Sequence, residues 1–319
     1  MTFENILIST ITVFLVVGIG WFCQSVKIID EAAEKSLMTL AINVLYPCFI
    51  LSKILGNDLL RQSTVVTAAM SVGLVLIMVA FAVCFFAGRM IGLTSDSGLN
   101  TFTVGTALQN YGFIPIPLVE RIFPSERADQ ILGVLFVHNL GLEIALWTLG
   151  IVLISGSSAG AWKKLINGPS IALAVGLFFN STQLHTEIPS VLMSVISMLG
   201  PCAVPISLIL VGATLGNVIQ KSPWKSNIRV ISATMVLRFL VLPLLYGGTA
   251  YLIWFSDELR IVLLIQASMP CAIFPIVLAR HYKGHPAIAV QSAISTSAAC
   301  LLLTPLLLTF WFWLVKTSV

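Results

Sequence analysis

The chain consists of long apolar windows separated by short clusters of charged and turn-forming residues. A transmembrane helix needs about 20 apolar residues to cross a hydrocarbon core about 30 Å thick. Only two of the windows contain an interior charge, Glu143 in the fifth and Arg238 in the eighth. The pattern predicts an all-α integral membrane protein with ten transmembrane helices. The ten windows are residues 5–26, 36–52, 62–88, 97–119, 130–162, 165–186, 188–220, 230–256, 261–279 and 284–315.

The middle of the chain carries its most loop-like stretch, SGSSAGAWKK at 155–164, which is rich in Gly and Ser and ends in two lysines. Five predicted helices lie on each side of it, so the second half enters the bilayer in the opposite orientation. We therefore expect one membrane unit made of two inverted five-helix repeats, residues 1–155 and 165–319, joined by a cytoplasmic linker at 156–164.

Composition excludes several other classes of protein. Hydrophobic residues make up 58% of the 319 and charged residues 9%, whereas a soluble domain carries about 25% charged residues. The net charge of +4 is scattered without a basic run, so we expect no nucleic-acid partner. The six cysteines all lie in apolar runs without Cys-x-x-Cys or Cys/His spacing, so neither a metal site nor a disulfide framework is indicated.

Two proline-containing segments interrupt the fourth and ninth windows, LQNYGFIPIPLV at 108–119 and IQASMPCAIFPIVLA at 265–279. A proline removes a backbone donor and clashes with the preceding turn of a helix. In a bilayer, a broken helix is tolerated only where it faces protein or a water-filled cavity. Matching breaks in two halves of a chain indicate a transporter's binding site. We expect these helices to cross, and we expect further proline breaks in the second helix, at Pro47, and in the seventh, at Pro201 and Pro205.

The broken helices predict a site for an anion. The half-helix that follows each break presents backbone N–H groups and a positive dipole end. Asn110 and Gln266 supply side-chain hydrogen bonds, and Gly112 allows close approach to the backbone. Neither segment contains Lys or Arg, so the helix ends would bind the anion without a full positive charge. The alternative is that these prolines only kink packed transmembrane helices, in which proline is more frequent than in the helices of soluble proteins.

Several segments resemble the auxin efflux carrier family, prokaryotic branch, within the bile/arsenite/riboflavin-type transporter superfamily that includes the bile acid:sodium symporters. They occur in the family's order over nearly the whole chain. The segments are LYPCFIL at 45–51, TALQNYGFIPIPLV at 106–119, LINGPSIALAVGL at 165–177, PCAVPISLILVGATLG at 201–216, and PCAIFPIVLARHYKGHP with AISTSAACLLLTPLLL between 270 and 308.

The resemblance implies a secondary carrier of small organic anions such as carboxylates, with a scaffold part, a moving part that contains the crossed helices, and homodimerisation. The family's asparagine at the first crossing corresponds to Asn110. The chain lacks the long hydrophilic loop of the plant proteins and has no asparagine at the second crossing, so the plant substrate is not assumed. The predicted substrate-binding residues are Asn110, Tyr111, Gly112, Pro115, Pro117, Gln266, Ser268, Pro270, Pro275 and Asn43.

Ionisable groups inside a membrane are costly, and each one is a functional candidate. His138 and Glu143 on the fifth helix are candidate proton-coupling residues, with a Glu143–Arg238 ion pair as the structural alternative. We expect Lys53 and Glu120 to extend toward the membrane surface. Neither broken segment contains a carboxylate, which favours H⁺ over Na⁺ as the coupling ion. No cofactor is expected.

The Lys and Arg residues predict the orientation through their excess on the cytoplasmic side. The favoured arrangement has both termini on the non-cytoplasmic side of the cell (inner) membrane, which the chain crosses many times. The cytoplasmic set is Lys27, Lys35, Arg89, Lys163, Lys164, Lys221, Lys225, Arg229, Arg280 and Lys283, against Arg61, Arg121, Arg127, Arg260 and Lys316 on the other side.

Other functions remain as alternatives. A membrane enzyme would need a motif such as HExxH or GxSxG, and the sequence contains neither. A channel would show a continuous polar ring, whereas the polar residues here concentrate at the breaks. A receptor without transport is distinguished only by a flux measurement. Among transporters, the second interpretation is a sodium-coupled carrier like the bile acid symporters.

Overall fold

A computed structural model describes residues 3–157, 161–221, 227–252 and 256–315 of the chain. Lys225 and Lys316, used above for orientation, lie outside the described residues, as do part of the linker and the side chains of Trp162 and Lys221. The described chain is helical throughout, apart from loops and one isolated antiparallel bridge. Its principal helices are α1 (Phe3–Ser25), α2 (Glu31–Ile54), α3 (Ser63–Met90), α4 (Leu99–Ala107), α5 (Pro115–Ile122), α6 (Ser125–Ser155), α7 (Gly168–Ser181), α8 (Ser190–Gln220), α9 (Ile228–Leu252), α10 (Asp257–Ala267), α11 (Phe274–His281) and α12 (Pro286–Val315).

Seven of these helices are long and apolar enough to cross a membrane, namely α1, α2, α3, α6, α8, α9 and α12. The protein is therefore an all-helical integral membrane protein. The other three predicted windows have a different form. The fourth is divided into α4 and α5 and the ninth into α10 and α11, while the sixth contains the 14-residue α7.

Side chains in the loops cap the N-termini of several helices. The Asp30 carboxylate accepts a hydrogen bond from the backbone N–H of Ala33 at 2.8 Å and begins α2. Asn167 caps α7 through the N–H of Ser170 at 3.0 Å. Each cap satisfies a backbone donor that the first turn of a helix leaves unpaired.

The expected proline breaks in α2 and α8 are wrong. Helix α2 runs through Pro47 after a π-helical turn at Ala41–Leu45, and α8 passes Pro201 in a short 3₁₀ turn at Gly200–Cys202. A π or 3₁₀ turn adjusts the local hydrogen-bond register where proline cannot donate, so the helix continues. These prolines therefore leave the helices continuous.

The helices pack as two groups. Helix α1 packs mainly against α8, and α2 against α7 and α8; the other group contains α3–α6 and α9–α12. Glycines permit close approach in both groups, as is usual between membrane helices. A Cβ atom at Gly212 on α8 would overlap the Val17 carbonyl on α1, and one at Gly141 on α6 would overlap the Met70 carbonyl on α3. The two groups meet where α1 packs against α5 and α12, and where α2 packs against α6.

Candidate functional site

The two broken helices meet at their breaks. The backbone N–H of Asn110 donates to the Pro270 carbonyl at 2.8 Å, and the N–H of Ala272 donates to the Leu108 carbonyl at 2.8 Å. These two bonds make an antiparallel bridge between Gln109 and Cys271. Backbone groups that the helices leave unpaired thus find partners across the break, which a buried position inside a membrane requires. We call residues 107–114 and 266–273 the crossing.

The prolines occupy different places in the two breaks. Pro115 is the first residue of α5, and Pro275 lies in the first turn of α11. Proline is favoured there because the first turn of a helix needs no N–H from it. Only Pro270 lies within a non-helical segment, and Pro117 follows in the first turn of α5. Pro115, Pro117 and Pro275 therefore lie in the first turns of α5 and α11, whereas Pro270 lies between α10 and α11, and all four are buried.

Asn110 is predominantly buried, and its side chain connects the break to the next half-helix. Its Oδ1 accepts a hydrogen bond from the Ile114 backbone N–H at 3.3 Å, just before α5 begins. The next glycine, Gly112, stands in open space, since an added Cβ would meet only the tip of Ile116 at 4.0 Å. This packing leaves access to the backbone at Gly112.

Gln266 and Asn139 enclose the carbonyl of Tyr111. That carbonyl accepts from Asn139 Nδ2 at 2.8 Å and from Gln266 Nε2 at 3.3 Å. Gln266 Nε2 also lies 3.3 Å from Asn139 Oδ1. Gln266 is fully buried, and its Oε1 has no hydrogen-bond partner among the described residues. A buried polar atom of this kind is costly unless something pairs with it. Asn139 is absent from the predicted site, although it stands beside His138 in an apolar run.

The two candidate coupling residues lie beside the crossing on α6. The His138 ring is fully buried, with Nδ1 3.4 Å from Asn139 Oδ1 and Nε2 without a partner in the described part of the chain. Glu143 Oε1 lies 3.5 Å from the Tyr111 hydroxyl. Asn139 and Glu143, four residues apart, contact the backbone and the side chain of Tyr111 respectively.

Arg238 does not pair with Glu143, so the proposed ion pair is wrong. Its guanidinium donates to the backbone carbonyls of Met269 at 2.8 Å and of Ala107 and Gln266 at 3.2 Å each. The side chain is fully buried, within a π-helical turn of α9 at Leu237–Val241. A full positive charge therefore lies directly at the crossing, where the sequence predicted only helix ends. The lone charge in an apolar window was the signal that pointed to it.

Two predicted site residues, Ser268 and Asn43, donate hydrogen bonds to nearby backbone carbonyls. The Ser268 hydroxyl donates to the Leu264 carbonyl in the last turn of α10 at 3.0 Å. Asn43 lies on an exposed face of α2 and donates to the Thr39 carbonyl at 2.9 Å. The structure therefore brings Asn110, Tyr111, Gly112, Gln266 and the prolines together and places Asn43 apart from them.

Lys53 and Glu120, expected to extend toward the membrane surface, form an ion pair with each other. Lys53 Nζ lies 3.4 Å from Glu120 Oε1 and 2.7 Å from Asp129 Oδ1. The exposed fraction of the Lys53 side chain is only 16%. These contacts join α2 to α5 and α6, across the boundary between the two helix groups.

The family described as "Membrane transport protein" matches residues 5–161 and 157–308. The chain thus belongs to this family of membrane transporters, as a prokaryotic-type member of the auxin efflux carriers.

Relatives fall into two kinds. An uncharacterized transporter from Methanothermobacter thermautotrophicus is 28% identical over 278 residues, covering 85% of this chain and 87% of its own. An uncharacterized transporter from Methanocaldococcus jannaschii is 24% identical over 318 residues, covering 95% and 96%. Auxin efflux carrier component 2 from Oryza sativa subsp. japonica is 27% identical over 136 residues, 42% of this chain and only 21% of the plant protein. The likeness to the plant carrier is therefore confined to a part of each chain.

Proposed function

We propose that the chain is a secondary carrier, not an enzyme, that moves a small organic anion such as a carboxylate by alternating access. Membership of a transporter family supports the class, and the crossing supports the location of the substrate. The observation that carries most weight is the pairing of the two breaks. It sets Gln266 Oε1, which has no partner in the part of the chain that the structure describes, and the side chain of Asn110 near the open backbone at Gly112. Polar atoms buried without partners inside a membrane are expected where a solute binds.

In this proposal the chain crosses the membrane ten times. The seven long helices, the pairs α4–α5 and α10–α11, and the short α7 together account for ten crossings. Five precede the linker at 156–164 and five follow it, as two inverted repeats with both termini on the non-cytoplasmic side. The outward apolar side chains, such as Met198 and Leu252, are those that a bilayer would cover. Homodimerisation remains a proposal taken from the family.

The negative charge proposed for the substrate is supported by two of the helix ends at the crossing. Helices α5 and α11 both begin at the crossing, and their positive ends favour an anion. The coupling ion proposed is H⁺, with His138 and Glu143 as its candidate sites and no cofactor. If substrate binding required Na⁺, the alternative of a sodium-coupled carrier similar to the bile acid symporters would be favoured instead.

The test is a thermal-shift screen of the purified protein against mono- and dicarboxylates, with and without Na⁺. A ligand at 100 times its Kd stabilises the folded state by about 2.7 kcal/mol. We expect Asn110→Ala to weaken binding of the identified carboxylate by about 10- to 100-fold, because a hydrogen bond to a charged group contributes about 1.5–3 kcal/mol.

Asn43→Ala is the matched control, since it makes the same substitution on the exposed face of α2. It should bind like the unmodified protein. A folded Asn110→Ala variant with unchanged affinity would remove Asn110 from the site, and stabilisation by cations or neutral solutes alone would overturn the anion assignment.

A further inference from the structure

Arg238 has an unusual set of partners for a buried charge. Among the described residues no carboxylate forms an ion pair with it, and its three hydrogen bonds all go to backbone carbonyls. Removing a charge from water is costly unless other charges or dipoles compensate it. The compensating groups here must therefore be the carbonyl dipoles themselves.

Those carbonyls lie at the C-terminal ends of α4 and α10, the helices that precede the two breaks. Ala107 is the last residue of α4, Gln266 lies in the last turn of α10, and Met269 follows two residues after α10 ends. A helix C-terminus carries about half a negative elementary charge, and a helix N-terminus about half a positive one. Two negative ends (α4 and α10) and two positive ends (α5 and α11) converge at the crossing, and without Arg238 they would nearly cancel.

The guanidinium changes this balance. Its single positive charge is about equal to the two negative ends that it contacts, and this leaves the positive ends of α5 and α11 uncompensated. We propose that Arg238 determines the charge preference of the carrier, by neutralising the ends of α4 and α10 so that the crossing attracts a carboxylate. This inference rests on the proposed function. In this role Arg238 acts through the helix ends, as a positioning residue that need not touch the substrate.

The experiment compares two ligands of the same shape, the carboxylate that stabilises the unmodified protein and its uncharged primary amide. Arg238→Gln keeps N–H donors for the carbonyls but removes the charge. Arg238→Lys keeps the charge but loses the planar arrangement of the guanidinium N–H donors. Arg229→Gln, on the exposed first turn of α9, is the matched control for charge. The measured quantity is the ratio of the two dissociation constants in each variant.

We expect a carboxylate preference of about tenfold or more in the unmodified protein, in Arg229→Gln and in Arg238→Lys. In Arg238→Gln the preference should fall to about threefold or less. If Arg238 had a purely structural role, Arg238→Gln would weaken the binding of both ligands by the same factor. The ratio of the two dissociation constants would then be unchanged. A preserved ratio in folded Arg238→Gln would overturn the inference.

If Arg238→Gln does not fold, the test rests on Arg238→Lys, which keeps the positive charge. Loss of the carboxylate preference in Arg238→Lys would also overturn the inference. An unmodified protein that binds no carboxylate would instead overturn the proposed function, and the inference with it. A preference that persists without the arginine charge would leave the proposed function intact. The two failures are therefore distinguishable.

Discussion

At the scale of single residues, the contact between Glu143 and Tyr111 would link the proposed substrate site to protonation. The Tyr111 hydroxyl lies 3.5 Å from the Glu143 carboxylate, and the backbone of Tyr111 is part of the crossing. An anion bound beside Tyr111 is repelled by an ionised Glu143 and not by a protonated one, in a medium where charges interact strongly. Binding should therefore strengthen as the pH falls.

We expect Glu143→Gln, which imitates the protonated carboxyl, to bind the anion about tenfold more tightly than the unmodified protein at high pH. Its affinity should change little with pH. Isothermal titration across a pH series measures both effects. His138→Gln is the companion variant and should keep the pH dependence, because the His138 ring lies against Asn139 Oδ1, whereas Glu143 is the group beside the Tyr111 hydroxyl. The reverse pattern, a flat profile only in His138→Gln, would assign the proton to His138.

The sequence predicted the amides of the crossing but not the contacts of Arg238. Asn110 and Gln266 are polar residues in apolar runs, so their importance is visible locally. The partners of Arg238 are carbonyls at positions 107, 266 and 269, which come from two other helices. Nothing in the residues around Arg238 indicates which backbone groups will face it, and Glu143 was therefore an equally reasonable partner from sequence.

At the scale of helices, the breaks are defined by pairing between chain segments more than by proline. Helix α4 ends at Ala107, eight residues before Pro115. The chain can leave the helix there because Pro270 and Leu108 supply carbonyl acceptors across the crossing. The sequence predicts that a break exists, since proline excludes a continuous helix, but its extent depends on a partner segment more than 150 residues away.

Hydroxyl groups of α12 support one side of the crossing, and Thr304 is one of them. Thr304 donates to the Ser268 carbonyl at 2.6 Å, just after α10 ends. We expect Thr304→Val to destabilise the protein by about 1–3 kcal/mol, because it leaves a buried carbonyl without its donor. The measurement is the Tm of the purified protein in detergent.

Thr309→Val is the control on the same helix. The Thr309 hydroxyl is buried and has no hydrogen-bond partner in the described ranges. Replacing it by a methyl group of similar shape should leave the Tm unchanged or raise it slightly. Equal losses of stability in both variants would show that Thr304 contributes only by packing.

At the scale of the whole molecule, the ten windows read from the sequence correspond to helical segments, but their division into two packed groups does not follow from hydropathy. Every window is apolar, so hydropathy gives no information on which helix packs against which. The packing is visible only in the assembled fold, where α1, α2, α7 and α8 separate from the helices that carry the crossing.

The ion pairs of Lys53 lie at this boundary. If the group that carries the crossing moves against the other during transport, the Lys53 contacts with Glu120 and Asp129 must break in one of the two states. A partly exposed ion pair contributes about 1 kcal/mol or less, so removing it changes the ratio of two conformations by up to about fivefold. In such a movement the contact would bias the protein toward the conformation described here without locking it.

We expect Lys53→Met to change the rate of anion flux in proteoliposomes by up to about fivefold and to raise deuterium uptake in the segment that joins α5 to α6. Asp58→Asn is the control, because Asp58 pairs with Arg61 three residues away, within one 3₁₀ turn. That pair stays within one element, so its loss should alter neither flux nor uptake. If both variants behave alike, the Lys53 ion pairs do not report on movement between the two helix groups.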